Sequence, residues 1–192
     1  MKFIEITGQP CTGKTSIIKN GKLGKTSYLS YSQGTLIKIV NFFRGLFYLD
    51  FARLRMLFVW SFDEEASVFF KLNIFRNAVS KFGVYSYLSK KNTYISSFPL
   101  VDEGISHLPF LFLNTKTDHI LNLIRKELET IQVIILKSPG LDVIKDRLKN
   151  RGHKRLRFLS LDTFIEMNCK IESLLMRRYS ELCQGIKIIE ND

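Results

Sequence analysis

The chain begins with an alternation of apolar residues, Phe3, Ile4 and Ile6, that predicts a short strand running into a turn at Gly8. A helix is expected from about Lys14 to about Asn20, where the glycines of GKLGK stop it. Thr26 to Tyr31, TSYLSY, is rich in β-branched and aromatic residues and predicts a second strand closing at Gln33-Gly34. Residues 35–92 read as helical. Beyond them, the mostly apolar Phe98 to Val101 predicts a buried strand, Thr117 to Thr130 a helix, and Val133 to Leu136 another buried strand. Helices at Leu141 to Asn150 and Leu161 to Leu182 precede a last strand at Ile186 to Ile189. Strands alternate with helices, so the pattern predicts an α/β domain with a mainly parallel sheet covered on both faces. No internal repeat, low-complexity segment or linker divides the chain, and 192 residues suit a single domain.

The segment 35–92 stands apart from this alternation. Phe42, Phe43, Phe47, Tyr48, Phe51 and Phe58 open an aromatic series that continues to Tyr87. Ile39 to Phe62 is apolar enough to suggest a membrane span, but Arg44, Asp50, Arg53 and Arg55 interrupt it. Each charge at bilayer depth costs about 2.5–3.5 kcal/mol on insertion scales, which argues against a spanning helix. Helices packing an aromatic core are the expectation, with an acceptor pocket or a membrane-surface face as the alternatives.

Charge narrows the class of partner. The 29 Lys and Arg against 18 Asp and Glu give a net charge of +11, which suits nucleotides, phosphorylated substrates, nucleic acid or a lipid surface. Part of the excess is local, because seven of the thirteen residues from Lys145 to Arg157 are basic. Three cysteines at 11, 169 and 183 have no paired spacing, and no signal-like segment precedes the first strand, so a reduced, cytoplasmic protein is expected. His107, His119 and His153 are scattered without metal-ligand spacing.

The chemistry concentrates in Gly8-Gln9-Pro10-Cys11-Thr12-Gly13-Lys14-Thr15, which fits G-x-x-x-x-G-K-[ST] directly after the first strand. Gly8 and Gly13 allow the unusual backbone angles that aim the amides of residues 10 to 15 at one center. Such a loop, continued by Ser16 into a helix, cradles a polyphosphate; Lys14 would reach the β and γ phosphates and Thr15 would offer its hydroxyl to Mg²⁺. ATP and Mg²⁺ are the cofactors this predicts.

Two further stretches complete the pattern. FPLVDE places Asp102 and Glu103 at the end of a strand, the form of a Walker B motif, where Asp102 would hold Mg²⁺ through water. Glu103 would serve as a base toward an acceptor hydroxyl, a role that a phosphate acceptor does not require. Arg147, Arg151 and Arg155 recur every four residues and would share one helix face, except that Gly152 breaks the helix and turns the end of the run into a mobile lid over 145–158. Arginine forks there would stabilize the charge on a transferring phosphoryl group.

Taken together, the P-loop, the VDEG strand end, VIILKSPGLDVIKDRLKNRGHKR and the closing GIKIIEND resemble the P-loop small-molecule kinases related to nucleoside and nucleotide kinases. The resemblance is strongest to uncharacterized members associated with bacterial surface-polysaccharide genes, and it covers residues 1 to 34 and 97 to 192. It implies a three-layer α/β/α sandwich with a five-stranded parallel sheet in the order 2-3-1-4-5, into which 35–92 is inserted as a helical acceptor-binding segment. It also implies that Arg147 lies over the adenine, that Arg151 contacts phosphates and that Arg155 is a lid arginine. Arg44, Arg53, Arg55 and Arg76 are the candidate contacts to a nucleoside-, nucleotide- or sugar-like acceptor.

Rival readings fit less of the chain. An ATPase acting as a switch would use the same Asp-Glu pair to polarize water, but leaves the arginine run unexplained. Thr115-Lys116-Thr117-Asp118 resembles a guanine-reading motif, yet it follows Asp102 too closely for an intervening helix and strand, and reads as a helix start capped by Thr117 or Asp118. A nucleic-acid-binding module would leave the P-loop idle.

Overall fold

Strand ends, more than strand lengths, decide what this architecture brings together. The computed structural model describes residues 3–19, 28–29, 35–91 and 99–190. Among them five strands, β1 (Ile4–Thr7), β2 (Tyr28–Leu29), β3 (Leu100–Asp102), β4 (Gln132–Leu136) and β5 (Gly185–Ile189), pair in the order β2-β3-β1-β4-β5. Every pairing is parallel. The helices are α1 (Lys14–Lys19), α2 (Thr35–Tyr48), α3 (Phe51–Asp63), α4 (Val68–Lys91), α5 (Thr117–Leu128), α6 (Leu141–Arg151) and α7 (Leu161–Leu182). Short 3-10 turns at Ile105–Phe110 and Lys154–Arg157 complete the chain. The expected α/β class with a parallel sheet is therefore present. Asn20, GKLGK, Gln33-Gly34, Phe98 and most of Thr26 to Tyr31 lie outside the described residues.

Alternation along β1 sorts the core. Ile6 joins Leu100 and Ile134 on one face of the sheet, against Ile18 of α1. Phe3, Val101, Val133 and Ile135 face the other way, into the larger core with Ile120 and Ile124 of α5 and Leu175 and Tyr179 of α7. Buried on both faces, these strands read as nearly continuous apolar runs. The expected cap of α5 differs from the observed one. The N-cap position is Lys116 and makes no side-chain cap bond, while Asp118 sits inside the first turn, near the positive helix end, and reaches Arg178 at 3.3 Å.

The aromatic segment forms three helices but is only partly core. Phe82, Tyr85, Leu57 and Ile74 are buried, whereas Phe43, Phe47, Phe51, Phe58 and Phe69 are exposed. This corrects the expectation of an aromatic core. α2 and α3 both pack on α4, and no described residue covers these five rings on their outer sides. None of the described helices is long and apolar enough to cross a membrane.

Contact between α2 and α4 is set by two glycines. A Cβ on Gly83 would stand 1.8 Å from the Asn41 carbonyl oxygen, and one on Gly45 would stand 2.0 Å from that of Val79. The two backbones thus meet directly, and no side-chain rearrangement can make room. Replacing a helical glycine by alanine ordinarily stabilizes by about 1 kcal/mol. Gly83→Ala is expected to do the opposite, lowering unfolding stability by about 1–3 kcal/mol in urea titration.

Candidate functional site

β1 delivers the chain into a loop whose backbone only small residues accept. Gly8 has φ +149°, and a Cβ there would lie 2.6 Å from the Leu136 carbonyl oxygen. Cys11 (φ +66°) and Gly13 (φ +89°) also take positive angles, a conformation that costs a non-glycine residue of the order of 1–2 kcal/mol. Thr12 Oγ1 donates to the Gln9 carbonyl at 3.0 Å, closing the loop on itself. Gly13 O accepts from Ser16 N (3.0 Å) and Ile17 N (3.1 Å) and so starts α1, with Thr15 and Ser16 exposed on its first turn. Lys14 folds back over the loop. Its Nζ donates to Gly8 O and Gln9 O, both at 2.9 Å, and lies 3.2 Å from Glu103 Oε1.

Glu103 arrives there because β3 runs beside β1 in parallel, with Asp102 opposite Ile6. Its amide donates to Ile6 O at 3.0 Å, and its φ of +54° turns the chain sharply at the strand end. Partial burial would raise the Glu103 carboxyl, but His107, Lys14 and Lys81 outweigh it and hold the group below the usual carboxylate range. His107 itself is pushed down to about 3 by burial, with Lys81, Lys14 and Arg155 acting against Glu103. The imidazole is therefore neutral at pH 7, so there Glu103 is kept ionized chiefly by Lys14, 3.2 Å away, while burial lowers the pKa of Lys81. Asp102 behaves in the opposite way: burial and the neighboring Glu103 push it up to about 6, and its Oδ1 is buried without a hydrogen bond. A buried carboxylate oxygen lacking a partner fits a site that a cation completes.

Several groups that hold this arrangement carry no motif. Glu5, buried on β1, accepts from the amides of Ile105 (3.0 Å) and Ser106 (2.7 Å) and fixes the 3-10 turn that presents His107. Lys81 of α4 donates to the Glu103 carbonyl. Glu172 of α7 accepts from Gln9 Nε2 (3.0 Å), Ser138 N (2.9 Å) and Ser138 Oγ (2.7 Å), pinning the loop to the end of β4. Only Glu5 left a trace in the sequence, as a carboxylate at an inward position of a buried strand.

The three arginines do not share a face. Gly152 (φ +71°) ends α6 as expected, but the chain then forms a 3-10 turn anchored to the core. Arg147, exposed, donates to Cys11 O at 3.2 Å. It lines a cleft of about 550 Å³ with Cys11, Gly13, Ser16, Asn150 and Arg151. Arg151 also lines a second cleft of about 460 Å³, beside Pro10, Glu103 and His107. Arg155 is instead buried, its guanidinium 3.0 Å from the buried Glu64 and donating to Leu111 O. That corrects the expectation of a mobile lid arginine, since its charge is spent on Glu64.

The expected acceptor arginines are likewise engaged elsewhere. Arg53 pairs with buried Glu127 at 2.7 Å, Arg44 stacks over Tyr87 at 4.5 Å, and Arg76 donates to Asn73. None of them, nor Arg55, lines a cleft at the loop. Asn73 and Asn77 of α4 do so, and Ser80 and Lys81 line a smaller adjoining cleft of about 230 Å³ next to Asp102. A groove of about 780 Å³ between α6 and α7 includes no residue of the loop or of the β3 end. Among the described residues, no group of three or more His, Cys, Asp and Glu is placed to hold a metal by itself. Any Mg²⁺ at Asp102 and Thr15 would therefore take most of its oxygens from substrate and water.

Two outcomes follow from these environments. Arg155→Ala leaves Glu64 charged and buried, so it is expected to cost about 3–5 kcal/mol in unfolding experiments, with Arg155→Met/Glu64→Leu recovering most of the loss. Asp102 has a folded pKa of about 6 against an ordinary 3.8, so its favorable contribution is complete below 3.8 and lost as pH rises through about 6. Without divalent metal, Asp102→Asn should accordingly raise the melting temperature at pH 8 and leave it unchanged near pH 4.

Comparison with protein-family models and with curated proteins yields no match. What the site does is thus to be read from its own chemistry.

Proposed function

We propose that the protein is an ATP- and Mg²⁺-dependent phosphotransferase that moves the γ-phosphate to a small-molecule acceptor, in the manner of the P-loop kinases its motifs resemble. The observation that carries this reading is the 3.2 Å approach of Lys14 to Glu103, between a loop with positive backbone angles and the ends of two parallel strands. Lys14 is held there by two neutral carbonyls and one carboxylate. A polyphosphate brings several negative charges and competes well for such an ammonium group.

That competition links nucleotide binding to the chemistry. While Lys14 rests against it, Glu103 is too well stabilized as an anion to be a strong base. Once Lys14 turns to the β and γ phosphates, the carboxylate loses a cation and its affinity for a proton rises, at the point where an acceptor hydroxyl must give one up. The amides of residues 11 to 15 would hold the phosphates, and Asp102 with Thr15 would hold Mg²⁺. The ion supplies charge neutralization on the phosphate oxygens. Arg147 serves the nucleotide side and Arg151, shared by the two clefts, the transferring phosphoryl. Arg155 keeps a supporting role through Glu64. Asn73, Asn77 and Ser80 give the acceptor side neutral donors and acceptors, which suit a polyhydroxylated sugar or nucleoside.

Lys14→Ala is expected to lower transfer by roughly 100-fold or more while the circular dichroism spectrum is retained. Glu103→Gln should cut transfer to a hydroxyl by a similar factor and transfer to a phosphate acceptor far less. Unchanged turnover in Lys14→Ala would overturn the reading, and equal losses toward both acceptors would remove the base role from Glu103.

A further inference from the structure

We propose that the outer face of α2 and α3 is a docking surface for an anionic lipid bilayer, on which the protein lies without crossing it. Leu36, Val40, Phe43 and Phe47 follow one another at intervals of four, three and four residues, which aligns them on one face of α2, and all four are exposed. The face continues around the corner into α3 through Phe51 and Phe58. Phe47 is 90% and Phe51 82% exposed, so the corner between the helices ends in two phenyl rings that no described residue covers. Isolated exposed apolar residues are ordinary; an aligned row of four on one helix, followed by Phe51 and Phe58 on the next, is not.

Charge decides the occupant. Arg55 lies between Phe51 and Phe58 on the same side of α3, and Arg44, next to Phe43 at the edge of the α2 row, is exposed while its guanidinium rests over Tyr87. The exposed acids of the two helices and their junction are Asp50 and Asp63, and Asp50 is committed to capping α3 through the Arg53 amide at 2.8 Å. An apolar stripe edged by basic side chains is the composition that settles at the boundary between acyl chains and anionic headgroups. A second copy of this chain would bring another +11 against the same basic surface, which disfavors it as the partner. α2 links this surface to the site: Lys38, on the opposite side of the helix from the row, lines the small cleft beside Asp102.

Nucleotide-free, full-length protein would be sedimented with vesicles of phosphatidylcholine alone and of phosphatidylcholine mixed with phosphatidylglycerol, so the outcome does not depend on phosphotransfer. Binding to the mixed vesicles, weakened but not abolished by salt, is expected. Phe47→Ser/Phe51→Ser should weaken it roughly tenfold or more with an unchanged circular dichroism spectrum, because both rings are already exposed in the folded chain. Leu141→Ser, at another exposed apolar position, on α6, should leave binding intact. The inference is overturned by failure to bind mixed vesicles or by parental binding of the double variant. It is equally overturned if light scattering finds a dimer that the double variant converts to monomer without any lipid binding.

Discussion

Parallel pairing of β1 with β3 in one register, Ile6 opposite Asp102, is the constraint on which the site depends. Because both strands point the same way, the loop after β1 and the carboxylates after β3 emerge at the same sheet edge. A shift of one residue in that pairing would turn Asp102 and Glu103 to opposite faces and separate Glu103 from Lys14. The Glu103 amide, bonded to Ile6 O, fixes the register at the point where it matters most. Positive φ angles at Cys11 and Glu103 show the cost: two non-glycine residues hold unfavorable backbone conformations where loop and strand end meet.

Local chemistry made much of this legible beforehand. A glycine loop behind an apolar alternation, a strand ending in Asp-Glu, and a helix stopped by Gly152 all carry their signals within a few residues. The extent of α7, Leu161–Leu182, is also the expected one. Long-range partners are a different matter. Arg155 finds Glu64 across 91 positions and Gln9 finds Glu172 across 163, and no spacing rule links residues that only the folded chain brings together. The arginine run was expected to break at Gly152 and continue as a mobile lid, and the break is where it was expected. The turn after Gly152 instead sent the last member into the core, where its charge secures a helix corner.

The aromatic insertion was hard to read for another physical reason. On α2, apolar residues occupy both the side that meets α4 and the side that meets solvent, so periodicity cannot say which is the core. Burial is decided instead by glycines at 45 and 83, which let two helix backbones touch and leave Phe43 and Phe47 outside. The same packing orients α4 so that Asn73, Asn77 and Lys81 border the clefts at the loop. One pair of close-packed helices thereby shapes both the wall of the candidate acceptor site and the exposed apolar surface behind it.

The central claim concerns the fate of a phosphoryl group, and ³¹P NMR follows it directly. Protein with Mg-ATP would be observed alone and with pooled sugars, nucleosides and nucleoside monophosphates. The account predicts a new phosphoester resonance that grows as the γ-phosphate signal falls and that depends on one of the pools. Release of free phosphate alone, unaffected by every pool, would contradict transfer to a small-molecule acceptor and leave the site as one that hydrolyzes ATP.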